Sequence, residues 1–309
     1  MSVPLFLDCD TGIDDALTLA YLLRHPGVDL VGIGTVGGNI EAAQAAHNTL
    51  ALLQLDGRID IPVAIGSTDP LIGTFGGGAP QVHGADGVGG VPLPAPDASP
   101  VAGSAAEALV RAARAHPGEL RVLAIGPCTN LALALQEAPD LAGLVHSVTV
   151  MGGAVLGGGN VTSIAEANIH NDPEAAAAVL SAAWKVTLVP LDLTLQHRFT
   201  EADCAALAQA GAPAVVAISA MVDFYLDFYA TRLGVRECAL HDPLAAAVAI
   251  DDVRAVIAHD THVVVDTSDG PHRGATVADR RARSDGPLTR VVLGVDAPFG
   301  PLLLSRLMS

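Results

Sequence analysis

Residues 5–23 read LFLDCDTGIDDALTLAYLL, a strand-like apolar run that passes through Asp-Thr-Gly into an Ala/Leu-rich helical stretch. That succession is the first half of a βα unit. The turn between its two parts carries four carboxylates within eight residues, Asp8, Asp10, Asp14 and Asp15. Like charges this close raise one another's proton affinity, so the arrangement is costly unless a cation, a proton or a set of donors compensates it.

The same alternation continues outward. VDLVGIGTV precedes IEAAQAAHNTLALLQ, LRVLAIG precedes NLALALQEA, SVTVMGG precedes DPEAAAAVLSAA, and IPVAIG and KVTLVPLDL read as further strands. Such a pattern predicts an α/β fold, a mostly parallel central β-sheet flanked by helices, with residues 1–309 forming one domain. Ligands of such sheets bind at the carboxyl ends of the strands, here Asp10, Gly37 to Asn39, Ile125 to Gly126, Met151 to Gly153 and Asp192. Two Gly/Pro-rich stretches, residues 73–100 and 152–163, interrupt the alternation and hold His83, Asp86 and Asn160, so they read as functional loops.

Charge and composition narrow the partners. The formal net charge is −17, and Lys185 is the only lysine, so nucleic acid and anionic membrane surfaces would be repelled. Half the residues are hydrophobic, but Asp, Gly and Pro interrupt them, and we expect no transmembrane segment. Cys9, Cys128, Cys204 and Cys238 have no CxxC spacing, and the start MSVPLFLDCD has neither a basic region nor a long apolar one. A reduced, cytoplasmic protein is the expectation.

For the acidic turn, a purely structural reading has Asp10 capping the helix and Asp14 and Asp15 favouring its first turn. It accounts for two acids better than for four. In the alternative, Asp10 and Asp15 reach one hard cation across the turn, and Asp242 of HDPLAA, at the start of a later helix, supplies a further carboxylate. Two motifs mislead. DCDTG is close to the DxDxT of haloacid-dehalogenase phosphatases, but its fifth position is Gly12. Gly32-Ile33-Gly34-Thr35-Val36-Gly37 fits GxGxxG, but its first two glycines lie inside the second strand, where they let something approach the backbone closely.

DCDTGIDDA at 8–16, GGN at 37–39, HGADGVGG at 83–90, IGPCTNLA at 125–132, MGG at 151–153, NVTSIAEANIHNDPEAA at 160–176 and HDPLA at 241–245 occur in that order. Together they resemble the inosine-uridine preferring nucleoside hydrolase family, and the resemblance extends to RGATVAD at 273–279. It implies the Rossmann-like fold of that family, with the active site at the carboxyl ends of the strands. It also implies a Ca2+ ion held by Asp10, Asp15, Asp242 and the backbone carbonyl of Ile125. Asp14, Asn168 and Glu166 fall where the family binds ribose hydroxyls, with Asn160 and Asn39 nearby and Met151 lining the pocket. His83 and His241 match histidines around the nucleobase, and Tyr225 and Tyr229 of FYLDFYATRLG face the base pocket, although their spacing alone fits ordinary packing of a helix face.

The implied activity is hydrolysis of ribonucleosides such as inosine, uridine and cytidine to ribose and base in nucleoside salvage, by a homodimer or homotetramer. Breaking an N-glycosidic bond passes through an oxocarbenium-like state and needs a water nucleophile, a base and help for the leaving group. Asp10 suits the base, and His241 suits the acid, directly or through Tyr229. The carboxylates also stabilise the positive charge that develops on the sugar. A nucleoside phosphorylase would need Arg, Lys or an anion nest, and the seven ordered motifs from DCDTGIDDA to HDPLA contain no Arg or Lys. A non-catalytic, calcium-stabilised nucleoside-binding protein leaves a base beside water unexplained.

Overall fold

The computed structural model describes residues 2–279, 281 and 286–309. Its strands, in chain order, are β1 Val3–Cys9, β2 Val28–Thr35, β3 Val63–Ile65, β4 Arg121–Ala124, β5 Ser147–Met151, β6 Val186–Val189, β7 Arg198–Thr200, β8 Glu237–Ala239, β9 Ala255–Thr261, β10 Val263–Val265, β11 Thr276–Ala278 and β12 Thr289–Val295. Eight of them form one sheet in the order β3-β2-β1-β4-β5-β6-β12-β9. All neighbours in it are parallel except the edge pair β12 and β9. The order reverses direction between β1 and β4, and the crevice at their carboxyl ends is where open α/β sheets bind ligands.

β1 shows why the sheet is buried on both faces. Leu5, Leu7 and Cys9 belong to one core cluster with Ile13, Leu17 and Tyr21, while Phe6 belongs to the other with Leu109 and Leu131. Successive strand residues alternate faces, so a strand with helices above and below must be apolar throughout. Each such buried side chain contributes about 2 kcal/mol. Asp8 follows the parity of Phe6: a Cβ built on Gly34 would come 2.6 Å from its Oδ1 and 2.9 Å from the Ala105 Cβ. The strand glycines of the GxGxxG pattern thus make room for Phe6 and Asp8, as the reading of close approach expects.

Three helices on the first face shape the site. Ile13–Leu23 follows β1 after one tight turn, with Gly12 as its N-cap instead of Asp10. Asp15 at its third position accepts the Gly12 N–H at 2.8 Å and the Asp10 N–H at 3.2 Å. A Cβ on Gly12 would lie 2.6 Å from His83 Nδ1 and 2.8 Å from Asn39 Nδ2, which explains why this position cannot carry the side chain that the phosphatase pattern has. Against this helix pack His241–Ala249, whose alanines permit close approach, and Pro213–Leu233. Pro213–Leu233 is long and apolar enough to cross a membrane, which the interrupted composition did not suggest. Its Ile218, Val222, Tyr225 and Leu226 are buried in the core, and Asp223, Asp227 and Arg232 lie along it.

The two Gly-rich stretches are loops. The first contains one short helix, Pro80–His83. The second is tied down by Asp192, whose carboxylate accepts the N–H groups of Val155, Leu156 and Gly157 at 2.7 to 2.8 Å. Asp192 lies in the short helix Leu191–Thr194 and serves that loop, not a ligand.

Candidate active site

The carboxylates come together because two helix starts converge on the crevice at the end of β1. Asp14 and Asp15 lie in the first turn of Ile13–Leu23 and Asp242 in the first turn of His241–Ala249. One oxygen from each lies within 4.8 Å of the others, and all three are buried. Asp10 is completely buried beside them; its Oδ2 accepts the Asn39 N–H at 2.6 Å, while Asn39 Nδ2 donates to Asp15 Oδ2 at 3.3 Å. Two oxygens in the group, Asp10 Oδ1 and Asp14 Oδ1, are buried with no hydrogen-bond partner. Burial, and then the neighbouring negative charges, push the Asp10 and Asp242 carboxyls well above the ordinary range and that of Asp15 up to about 7.

Partnerless carboxylate oxygens and mutually raised proton affinities make this a place where a positive charge would be stabilising. The cluster therefore fits a metal ion, and a donor set made only of oxygens suits a hard one. The trio whose oxygens lie within 4.8 Å of one another contains Asp14, where the family pattern leads to the expectation of Asp10. The Ile125 carbonyl lies at the end of β4 and accepts the Asn168 amide at 2.8 Å, which leaves it a second lone pair.

Beside the carboxylates opens a cavity of about 320 Å³. Asp14, Asp242, Asn39, Ile125, Met151, Asn160, Glu166, Asn168, His83, Tyr225, Tyr229 and His241 all line it, whereas Asp10 and Asp15 do not reach its surface. On one side Asn168 Nδ2 also donates to the Met151 carbonyl at 3.2 Å. Glu166 is spent on backbone: its carboxylate caps the helix Ala167–Asn171, accepting from Asn168, Ile169 and Gly153 N–H groups at 2.9 to 3.1 Å. Burial still raises its carboxyl above the ordinary value. Asn160 is exposed, and its Oδ1 accepts the Ala167 N–H at 2.9 Å, which docks the Gly-rich loop on the same helix.

The other side is aromatic. His83 and Tyr225 stack with ring centroids 5.4 Å apart, and Tyr225 and Tyr229 meet edge to face at 4.9 Å. The Tyr225 hydroxyl donates to Asp14 Oδ2 at 3.2 Å. His83 Nδ1 accepts the Ile13 N–H at 3.1 Å, so its proton is on Nε2, and the 3.9 Å approach to Asp14 is not a charged pair. His241 has both ring nitrogens engaged at 2.7 Å, Nδ1 with Thr194 Oγ1 and Nε2 with the Tyr229 hydroxyl. Burial lowers its pKa to about 4, so the ring is neutral near pH 7.

Some participants were not legible in the motifs. Asp8, counted with the acidic turn, is turned to the opposite face, where Asn130 Nδ2 donates to its Oδ1 at 2.8 Å. Thr194 is absent from every motif and sits 47 residues from the histidine it bonds. Arg232, inside the stretch FYLDFYATRLG but given no role there, lines the cavity with its guanidinium 5.3 Å over the Phe228 ring, so the site holds one cation. The helical period of Pro213–Leu233 could have found it, three residues beyond Tyr229 on the cavity side.

Known proteins resemble this chain in sequence and in fold. The profile of the inosine-uridine preferring nucleoside hydrolase family matches residues 5–299. Uridine nucleosidase 1 of Arabidopsis thaliana is 37% identical over 246 residues, covering 80% of this chain and 73% of its own. Among solved structures, the plant nucleoside hydrolase PpNRh1 superposes with a TM-score of 0.92 at 30% identity, covering 100% of this chain and 98% of its own. A purine-preferring ribonucleoside hydrolase from Gardnerella vaginalis gives 0.91 at 32%, covering 99% and 96%. With a profile that spans nearly the whole chain, and with solved relatives that share its sheet from end to end, this protein belongs to the inosine-uridine preferring nucleoside hydrolase family.

Proposed function

We propose that this nucleoside hydrolase cleaves the N-glycosidic bond of ribonucleosides with a calcium ion held by Asp10, Asp15, Asp242 and the carbonyl of Ile125. The observation that carries the reading is the buried group of carboxylates with two partnerless oxygens, beside a cavity walled by Tyr225, Tyr229 and His241. A calcium ion bound there would polarise water and hold sugar hydroxyls. Asp10 takes a proton from the attacking water, and its orphaned Oδ1 is the atom available for that. Asp14 and Asn168 hold the 2′ and 3′ hydroxyls of ribose, with Asn39, Asn160 and Glu166 completing that side and Met151 lining it. Negative charge on Asp10, Asp14 and Asp242 stabilises the cationic sugar of the transition state.

His83 and Tyr225 stack around the base, and Tyr229, backed by His241, attends its departure. The Tyr229 bond to Nε2 favours that route over direct transfer from the histidine. Relatives differ in preference, one named for uridine and one for purines, so uridine and inosine are the first substrates to compare. We further propose a cytoplasmic homodimer or homotetramer comprising one hydrolase domain over residues 1–309. Its four cysteines are all buried and unpaired, which suits a reducing compartment.

The deciding experiment is release of reducing sugar from uridine and inosine by the purified protein in phosphate-free buffer, alongside elemental analysis. Turnover without phosphate and with bound calcium supports the reading. Strict dependence on phosphate would make it a phosphorylase, binding without turnover would leave a binding protein, and full activity without metal would remove the calcium.

A further inference from the structure

We infer that Thr194 is a positioning residue: its hydroxyl sets the direction of the hydrogen-bond chain through His241, so that Tyr229 offers its proton to the departing base. Thr194 ends the short helix Leu191–Thr194 and is completely buried. Its Oγ1 lies 2.7 Å from His241 Nδ1, and among the described residues it has no other hydrogen-bond partner. A hydroxyl carries one proton. If Nδ1 held a proton and donated it, the Thr194 proton would be sealed in the core without an acceptor, a state that proteins rarely tolerate. Thr194 therefore donates to Nδ1, and the ring proton is on Nε2.

From that end the rest of the chain follows. Nε2–H donates to the Tyr229 oxygen across 2.7 Å, so the Tyr229 proton is not spent on the histidine. Tyr225, the ring that meets Tyr229 edge to face, has committed its own proton to Asp14 Oδ2. Tyr229 lines the cavity beside the Tyr225 hydroxyl, so its proton, free of the histidine, is shared between the Tyr225 oxygen and the cavity and can turn to a departing base there. When the N-glycosidic electron pair moves onto the base, Tyr229 stabilises the resulting charge by a hydrogen bond, and Nε2–H supports the Tyr229 oxygen in turn. No covalent bond within the chain has to form or break. Reversal of the chain would turn the Tyr229 proton onto His241 and leave the base facing a bare oxygen.

The inference rests on the nucleoside hydrolase reading, and its test separates the two. With 15N-labelled histidine, long-range proton–nitrogen correlation reports which ring nitrogen of His241 is protonated, with no substrate present. Nε2 protonation in the wild type supports the inference, and Nδ1 protonation overturns it. In kinetics, Thr194→Val should lower kcat on uridine and inosine by about 10- to 100-fold with KM little changed. It should leave p-nitrophenyl riboside, whose leaving group needs no donor, within about 2-fold, and Thr194→Ser should recover the loss. Equal damage to all three substrates, no damage to any, or failure of serine to rescue would each overturn the inference. A wild type that cleaves no nucleoside would count against the proposed function, and the tautomer would still decide for or against Thr194.

Discussion

Asp8 and Asp10 leave the same strand two residues apart, both are completely buried, and burial raises both carboxyls, Asp8 up to about 7. Each also has one oxygen without a partner, Asp8 Oδ2 and Asp10 Oδ1. Yet they live in different chemistry. Asp8 faces the second core layer, where Asn130 holds it and also donates to the Thr35 carbonyl at 3.0 Å, stitching β1 to the end of β2. Asp10 faces Asp15, Asp14 and Asp242 beside an open cavity. Burial and a raised proton affinity therefore do not mark a catalytic carboxylate. What sets Asp10, the proposed base, apart is convergence with other carboxylates next to a space that can hold substrate.

The largest effect should come from the crowded side. Asp10→Ala should lower kcat/KM on ribonucleosides by about 10⁴-fold, since it removes the proposed base and a proposed metal donor together. Asp15→Ala and Asp242→Ala should also lose activity along with metal content measured by elemental analysis. A variant that lost its metal and kept full activity would break the contrast, because Asp10 would then be no more chemical than Asp8.

Removing a hydroxyl from the substrate probes the same region from the ligand's side. Asp14 and Asn168 would be left unpaired by 2′-deoxyuridine, and sites built on such bonds reject the lacking analogue by roughly 10⁴-fold. Comparable rates for uridine and 2′-deoxyuridine would mean these residues do not hold the ribose.

At the aromatic end, His241→Ala should slow inosine and uridine by roughly 10²- to 10⁴-fold while barely changing p-nitrophenyl riboside. His83→Ala should act less, mostly in KM, because its ring stacks on Tyr225 and braces the turn through Ile13 instead of addressing the leaving group. If His241→Ala harms the nitrophenyl substrate equally, the histidine supports Asp242 and not the leaving group.

The smallest effect on catalysis is expected from Asp8→Ala, which should leave kcat/KM within about 3-fold, less than 1 kcal/mol of transition-state binding. It should instead lower stability by about 1 to 3 kcal/mol, as Asn130 loses a buried acceptor and the layer loses volume. Thermal unfolding measured beside kinetics sharpens the comparison: stability should move for Asp8 and rate for Asp10. A large rate loss with unchanged stability would place Asp8 in the site after all.

Much of this was legible in the chain itself. The unbroken apolar run before Cys9 and the helical spacing after Gly12 dictate a buried strand and a core helix whatever surrounds them, because each must hide its apolar surface. Repetition of that unit leads to a parallel sheet, and the sheet puts its ligands at strand ends, which is where Asp10, Asn39, Ile125 and Met151 lie. Order and type of residue along the chain suffice for these because they rest on short-range geometry.

What required the tertiary structure is which atom faces which. Asp8 was grouped with its neighbours, but it lies within β1 on the face of Phe6 while Asp10 lies in the turn beyond Cys9, and only the packing of Gly34 and Asn130 shows where Asp8 goes. Glu166 lines the cavity but spends its oxygens on helix N–H groups, and Asp192 at a strand end braces a loop. Thr194 reaches His241 across 47 residues with no motif to announce it. Periodicity determines the face on which a side chain emerges, whereas hydrogen bonds depend on tenths of an ångström between elements far apart in sequence. Those distances are set when the helices pack on the sheet, so the carboxylate-rich crevice belongs to the sequence and the direction of each proton within it to the fold.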